Sequence, residues 1–377
     1  MKDSSKGLFL FIVIFMSVYG LAHLYIWLRL LKPLELQGVV LRLLQLAFVV
    51  LFLSFPLIHF LFRHENGGLI TAINWFSSVW MGMVVYLVLV TLASDLLRLF
   101  LFRSVMDGPR VTLFVTGLAV VITVYGLVEA SHIRVTQLRL RMPNLPSELE
   151  GMRIAQISDV HMGLVVRGAR LEKIVNKVNA LQPDLVVITG DLVDAEALHM
   201  EDAIPPLRRL RGRYGVYAVT GNHEFFAGIE KVESFLKDAG VTLLRNRWVS
   251  VNHALQLIGI DDPVGARVSG QKPPPIGEVL RGIDSSKPTI LLLHTPVTTL
   301  ERLRSLGIHL QLSGHTHRGQ LWPFHYLVKM IYETPDGLFT NGDTTIYVSR
   351  GTGTWGPPMR VGAPPEITLI TLTGTTP

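Results

Sequence analysis

The 377-residue chain contains no cysteine, which excludes disulfides, thiolate metal sites and a cysteine nucleophile. Charge is also scarce. Asp, Glu, Lys and Arg make up 17% of residues, against about 25% in soluble domains. There is no dense basic block, so the net charge of +6 suits anionic substrates or lipid headgroups and gives no reason to expect a nucleic-acid partner. Internal repeats and low-complexity tracts are absent too. What is abundant is apolar: 49% of residues are hydrophobic and the mean hydropathy is +0.39, values that place part of the chain in a membrane.

The apolar residues concentrate in the first 130 positions. Four runs, about Leu8–Leu28, Val39–Phe62, Phe76–Phe100 and Val111–Val128, each reach the roughly 20 residues needed to cross a hydrocarbon core. Loop chemistry separates them: Lys32-Pro33, Arg63-His64-Glu65-Asn66-Gly67-Gly68 and Asp107-Gly108-Pro109-Arg110. The first run is too long for a signal peptide, lacks a small-x-small cleavage site and is followed by three more. Tyr25, Trp27, Trp75 and Trp80 fall near span ends, as an interfacial aromatic belt would. Asp95 and Arg98 read as a pair at the interface rather than a proton relay. The expectation is a multi-pass protein of the cell membrane with both termini on one side. Lys and Arg are balanced between the two sides, so charge bias does not choose which side the C-terminal half faces.

Residues 131–150 read as a linker. From 151 to 377 the pattern becomes α/β. Short β-rich runs, "MRIAQIS", "DLVVIT", "GVYAVT", "LQLIGI", "TILLLH", "IHLQLS", "TTIYVS" and "EITLIT", are bounded by turn residues. Leu171, Ile174, Val175, Val178 and Leu181 repeat at helical spacing in "ARLEKIVNKVNAL". Strands this uniformly apolar need cover on both faces. The predicted architecture is a four-helix membrane domain (1–130), the linker, and a sandwich of two mixed sheets flanked by helices.

Chemistry-bearing residues follow the strands. Asp159-Val160-His161 comes after "IAQIS", Gly190-Asp191 after "VVIT", and Gly221-Asn222-His223-Glu224 after "YAVT". His294 follows "ILLL", and Gly314-His315-Thr316-His317 follows "LQLS". In α/β folds ligands collect at the carboxyl ends of strands, so these groups are expected on one rim. Imidazole, carboxylate and amide oxygen suit Mn, Fe, Zn, Ni or Co. Seven ligands exceed what one catalytic ion takes and suffice for two ions about 4 Å apart sharing a carboxylate. Glycines 190, 221 and 314 are expected to let the backbone turn sharply beside the ions.

In this order and spacing, Asp-X-His, Gly-Asp, Gly-Asn-His-Glu, a lone His and Gly-His-X-His resemble the calcineurin-like metallophosphoesterases, over about residues 152–373. The tail "GHTHRGQLWP … YVSRGTGTWGPPMRVGAPPEITLI" resembles the bacterial membrane-associated branch of that family. The resemblance implies that Asp159, His161, Asp191 and His317 hold one divalent metal. It implies that Asp191, Asn222, His294 and His315 hold a second, with Asp191 bridging, and that His223 faces the substrate phosphate. It also implies in-line hydrolysis by a hydroxide shared between the cations, with His223 protonating the departing oxygen. Asp194 and Glu224 are candidates to orient a histidine ring.

The membrane half favours a lipid-linked or membrane-proximal phosphodiester, phosphomonoester or pyrophosphate. UDP-2,3-diacylglucosamine hydrolysis is one reaction known within the superfamily. A cell-wall precursor, a phosphoprotein and a cyclic nucleotide are competing substrates. The rival class is a catalytically silent membrane-anchored scaffold, which loss of a ligand would signal, and none is lost. A channel or transporter would need polar residues within the spans, and they are sparse. Arg318 is a candidate phosphate contact, with Trp322 and Trp355 as substrate-wall candidates. "LWPFHYLVKMIY", 321–332, reads either as core or as an apolar wall or membrane-dipping segment. Arg208, Arg209, Arg211 and Arg213 read as a solvated helix end. His23 and His59 are expected to pack between helices, and His199, His253, His309 and His325 to be surface or structural residues.

Overall fold

The computed structural model describes residues 2–61, 67–100, 108–194 and 200–374. The expectations that touch Arg63, His64, Asp107 and His199 lie outside them. The described chain divides into two compact units, Met1–Val128 with Gly356–Met359, and Glu129–Trp355 with Arg360–Pro377.

The first unit carries four long helices: α1 (Lys2–Ile26), α2 (Gly38–Leu61), α3 (Gly68–Phe100) and α4 (Pro109–Ser131). Four segments within this stretch are long and apolar enough to cross a membrane. Helix α3 begins at Gly68, eight residues before the expected Phe76, because Thr71 and Asn74 dilute the apolar run without breaking the helix. Several polar side chains inside the unit are paired, which a low-dielectric setting favours. Asp95 accepts from Tyr25 (2.7 Å) and Arg29 (2.9 Å) and lies 3.6 Å from Arg98. His23 is buried, and Trp80 donates to its Nε2 at 3.1 Å, joining α3 to α1. His59 stacks on Phe55 within α2.

The second unit is a two-layer sandwich. Its strands are β1 (Arg134–Arg141), β2 (Arg153–Ile157), β3 (Leu185–Thr189), β4 (Val216–Val219), β5 (Thr242–Leu243) and β6 (Arg247–Val251). They continue with β7 (Leu255–Gly259), β8 (Thr289–Leu292), β9 (Leu310–Ser313), β10 (Gly337–Asn341), β11 (Thr344–Val348) and β12 (Glu366–Thr373). One sheet runs β1-β12-β2-β3-β4-β5 and the other β10-β11-β9-β8-β7-β6. In the first, β2 to β5 are parallel; in the second, β7, β8, β9 and β11 are parallel. The helices are α5 (Gly168–Ala180), α6 (Met200–Leu207), α7 (Asn222–Ala227), α8 (Ile229–Asp238), α9 (Pro263–Val268), α10 (Ile276–Val279), α11 (Leu300–Ser305) and α12 (His325–Ile331).

All eight apolar runs singled out in the sequence are strands, and the helical repeat at 169–181 is α5. Residues 134–141, read as part of a linker, instead form β1, parallel to β12. The reason is its edge position: "RVTQLRLR" carries arginines at 134, 139 and 141 and polar residues between them, which protects an edge, and Leu140 packs into the inter-sheet core. Ile154, Val187, Leu257, Ile290, Leu312 and Ile370 fill that core. α5 and α8 cover the outer face of the first sheet through Leu171, Ile174, Val175, Phe235 and Leu236. With both faces buried, the parallel strands end together on one rim.

Two buried polar groups tie the layers. Gln156 on β2 donates to Ser313 O on β9 and to Thr189 Oγ1 on β3, each at 2.9 Å. Glu366 on β12 accepts from Tyr347 on β11 (3.0 Å), from Thr136 on β1 (2.5 Å), and from the backbone (2.9 Å) and guanidinium of Arg350. Burial alone would raise the Glu366 pKa; the Arg350 bonds and charge outweigh it and hold it below the usual carboxylate range. Its stabilisation is therefore full above the unfolded value, about 4.3, and is lost as pH falls through the lower folded value. Glu366→Gln leaves Arg350 unpaired and should cost on the order of 3 kcal/mol. Near-UV melting of the detergent-solubilised chain should show a lower midpoint for the variant at pH 7, the gap closing as pH falls below 4.

Candidate metal centre

Five strand ends from both sheets supply the site: those of β2, β3 and β4 in one layer, β8 and β9 in the other. Asp159, His161, Asp191, His315 and His317 all adopt left-handed backbone, with φ of +53°, +53°, +49°, +73° and +49°. Each such non-glycine residue costs on the order of 1–3 kcal/mol. Five in one rim show that the surrounding structure holds these side chains to an aim that extended strands would not give.

Gly190, at φ +86°, turns the chain before Asp191 as expected. Gly221 and Gly314 do not turn; they make room. A Cβ at Gly221 would collide with Asp191 Oδ1, and one at Gly314 with Ser158 Oγ and Asp159 Oδ2.

The donor atoms gather in groups whose members lie within 4.8 Å of one another: Asp159, His161 and His317; Asp191, His294 and His315; and His161, Asp194 and His223. Nε2 of His161 and Nε2 of His317 are 3.1 Å apart, with Asp159 Oδ1 at 3.3 Å from the latter. His294 Nε2 is 3.1 Å from Asp191 Oδ2 and 4.0 Å from Asp159 Oδ1. His315 Nδ1 faces Asn222 Oδ1 at 3.1 Å and His294 Nε2 at 3.3 Å. Asp191 reaches both sets, being 3.8 Å from His161 Nε2 as well. All seven residues proposed as ligands from the sequence are thus brought together.

These groups fit divalent cations. Two carboxylates and four imidazoles point nitrogen and oxygen donors at one another in a dry rim, a costly arrangement without a cation between them. His161 Nδ1 is buried and has no hydrogen-bond partner. His294 donates from Nδ1 to Thr189 O at 2.7 Å, leaving Nε2 to face Asp191 as a ligand nitrogen would.

The titration pattern agrees. Burial alone would drive Asp191 up, but the His294, His223 and His161 charges hold it well below the usual range. His294 is held well above its ordinary value against burial by Asp191 and then Asp159. Asp159, pushed by burial and by Asp191, rises to about 6. A proton on His294 thus sits between the carboxylates, where a metal cation would displace it. His223 rises to about 9: burial opposes the imidazolium, but Asp191 and Asp194 outweigh it. Asp194 Oδ1 lies 2.7 Å from His223 Nδ1, an ion pair when His223 is protonated.

Glu224 does not touch a histidine ring. Its buried carboxylate accepts the backbone N–H of Gly221 (2.6 Å), Asp191 (2.9 Å), Leu192 (2.8 Å) and Val193 (3.3 Å). It locks the loop after β4 to the loop after β3. Arg318 pairs with Asp336 at 3.5 Å. Trp355 is half-exposed with its ring 5.9 Å from that of His223; Trp322 is half-exposed on the approach to α12.

Several contributors were not singled out from the sequence. Arg360 is fully buried, donating to Gly353 O (3.0 Å) and Arg350 O (2.7 Å) and facing His317 Nδ1 at 3.1 Å. A guanidinium only donates, so that nitrogen accepts, and a neutral ring then carries its proton on Nε2 until a cation replaces it. The only signal was an arginine in an otherwise apolar Pro/Gly loop. Phe226 lies 5.5 Å from the His223 ring and Tyr332 5.9 Å from that of His315.

A family model described as Calcineurin-like phosphoesterase matches residues 152–319. An uncharacterized metallophosphoesterase of Campylobacter jejuni is 32% identical, over 97% of this chain and 98% of its own. One from Aquifex aeolicus is 35% identical over 68% of this chain and 98% of its own. A Danio rerio transmembrane protein with metallophosphoesterase domain is 36% identical over 70% of this chain and 63% of its own. Among solved structures, a dimetal phosphatase from Danio rerio aligns with a TM-score of 0.36 at 14% identity, over 54% of this chain and 88% of its own.

Gly314→Ala should displace Asp159. We expect at least a tenfold loss of bound divalent metal, read by elemental analysis of purified protein. A drop in stability of about 1–3 kcal/mol from overpacking should accompany it.

Proposed function

The chain belongs to the calcineurin-like phosphoesterase family, and from that premise we propose that it is a membrane-anchored two-metal phosphohydrolase. The observation that carries this reading is the pair of donor clusters meeting at Asp191. Asp159, His161, Asp191 and His317 would hold one cation and Asp191, Asn222, His294 and His315 the other. When bound, two divalent cations supply a water of lowered pKa and neutralise charge on the phosphoryl oxygens.

The chain's own residues do the rest. Glu224 fixes the loops that set the spacing between the ligands from β3 and β4. His223 holds a proton, kept in place by Asp194, and delivers it to the departing oxygen. In the metal-free state His223 is held up to about 9, and with cations bound nearby it would titrate lower, toward the range where an imidazole serves as a general acid. Phe226 and Trp355, whose rings pack around His223, limit water at the mouth.

The substrate is a phosphate ester or pyrophosphate. The four helices able to cross a membrane favour a lipid-linked one and a multi-pass position in the cell membrane. Full-length protein loaded with Mn²⁺ should hydrolyse bis(p-nitrophenyl) phosphate. His223→Ala should lower kcat at least a hundredfold with metal content unchanged, whereas Asp191→Asn should lose metal and activity together. Equal rates for wild type and His223→Ala would remove His223 from the chemistry, and a wild type that is metal-loaded but inert would leave the scaffold reading.

A further inference from the structure

The segment joining the metal motif to β10 has a composition that the hydrolytic site does not explain. Helix α12 has no buried residue, although its sequence is "HYLVKMI". Tyr326, Leu327, Met330 and Ile331 are 57%, 53%, 82% and 72% exposed. Their positions pair as 326 with 330 and 327 with 331, each four residues apart, so they form one stripe along the helix. Trp322 before the helix and Leu338 after it are also half-exposed. A contiguous apolar stripe of this kind marks an interaction surface.

We propose that α12 lies in the lipid–water interface, its Tyr326-Leu327-Met330-Ile331 stripe among the upper acyl chains, so that the adjoining metal centre is presented to a phosphate carried by a membrane lipid. Several observations choose a bilayer as the occupant. The same chain carries four helices able to cross a membrane, and β1 begins only three residues after α4 ends. The stripe is preceded by Trp322 and begins with Tyr326, both amphipathic aromatics, and carries Lys329 alongside, exposed and with a stem long enough to snorkel. The segment is also continuous with the site. It opens four residues after His317, and its far end, Tyr332, packs edge-on against the His315 ring at 5.9 Å. The lipid nature of the substrate rests on the hydrolase reading above; the membrane-facing surface does not.

The absence of cysteine makes the test direct, since Met330→Cys becomes the sole thiol. The full-length Met330→Cys protein, labelled with an environment-sensitive fluorophore, is reconstituted into phosphatidylcholine–phosphatidylglycerol vesicles beside an exposed loop control, Ser285→Cys. The expected result is quenching of the label at 330 by lipid-borne nitroxide and protection from aqueous iodide, with the reverse at 285. Iodide quenching at 330 equal to that at 285 would overturn the proposal. Protection from both quenchers would also overturn it, because a protein surface would then be the cover.

A second arm compares wild type with Leu327→Asp/Met330→Asp on two phosphodiesters sharing a leaving group, soluble bis(p-nitrophenyl) phosphate and vesicle-embedded phosphatidyl-p-nitrophenol. The variant should keep the soluble rate and lose at least tenfold on the vesicle substrate. Equal losses on both, or on neither, would count against a lipid-presenting role. If wild type cleaves neither substrate, the hydrolase reading fails while the depth measurement still decides the surface.

Discussion

Two carboxylates, those of Asp159 and Asp191, are buried where strand ends from two sheets converge, and everything else at the rim answers to that constraint. Like charges in a dry setting repel and lose hydration. The chain supplies compensation with imidazoles, the one side chain that offers a proton in the metal-free state and a lone pair to a cation. His294 illustrates both states: its Nδ1 is committed to Thr189 O, and its Nε2 stands between the two carboxylates, 3.1 Å from one and 4.0 Å from the other. The same constraint explains the five left-handed backbones. Their strain persists because Glu224, Arg360 and the close-packed glycines at 221 and 314 leave the loops no easier path.

The fold pays for that rim with its core. Parallel strands buried on both faces end at a common edge, and the register between layers is tied by Gln156 and Glu366 rather than by apolar packing alone. Apolar contacts are tolerant of small slides, whereas a buried amide or carboxylate with several partners is not. Ligands drawn from two sheets therefore keep their separations. On the outer side of the site the opposite principle holds. Trp322, Trp355 and the stripe on α12 leave apolar surface uncovered beside a polar centre, a combination suited to a substrate with both a phosphate and a hydrocarbon part.

Much of this was legible in the residues. Apolar runs of about 20 marked the four long helices, eight short β-rich runs marked strands, and the Asp, Asn and His residues that follow five of them marked the site. What escaped had physical reasons. β1 was hidden because this edge strand is rich in charged and polar residues and so resembles a polar linker. The start of α3 was hidden because Thr71 and Asn74 lower local hydropathy without changing helical geometry. Glu224 was assigned to a ring because its partners, four backbone N–H groups, have no signature in the sequence. Arg360 went unnoticed because nothing local distinguishes a buried arginine from an exposed one.

By itself, then, the order of residues determined which side chains could do chemistry and that they would lie at strand ends, since both follow from local periodicity and residue type. Only the tertiary structure decided how they meet: that β2 and β9 face each other across a core, that Gly314 makes room against Asp159 rather than turning the chain, and that α12 exposes its apolar stripe. The first two depend on contacts between positions more than 150 residues apart, and the third on which surfaces the fold leaves uncovered; a linear pattern carries neither.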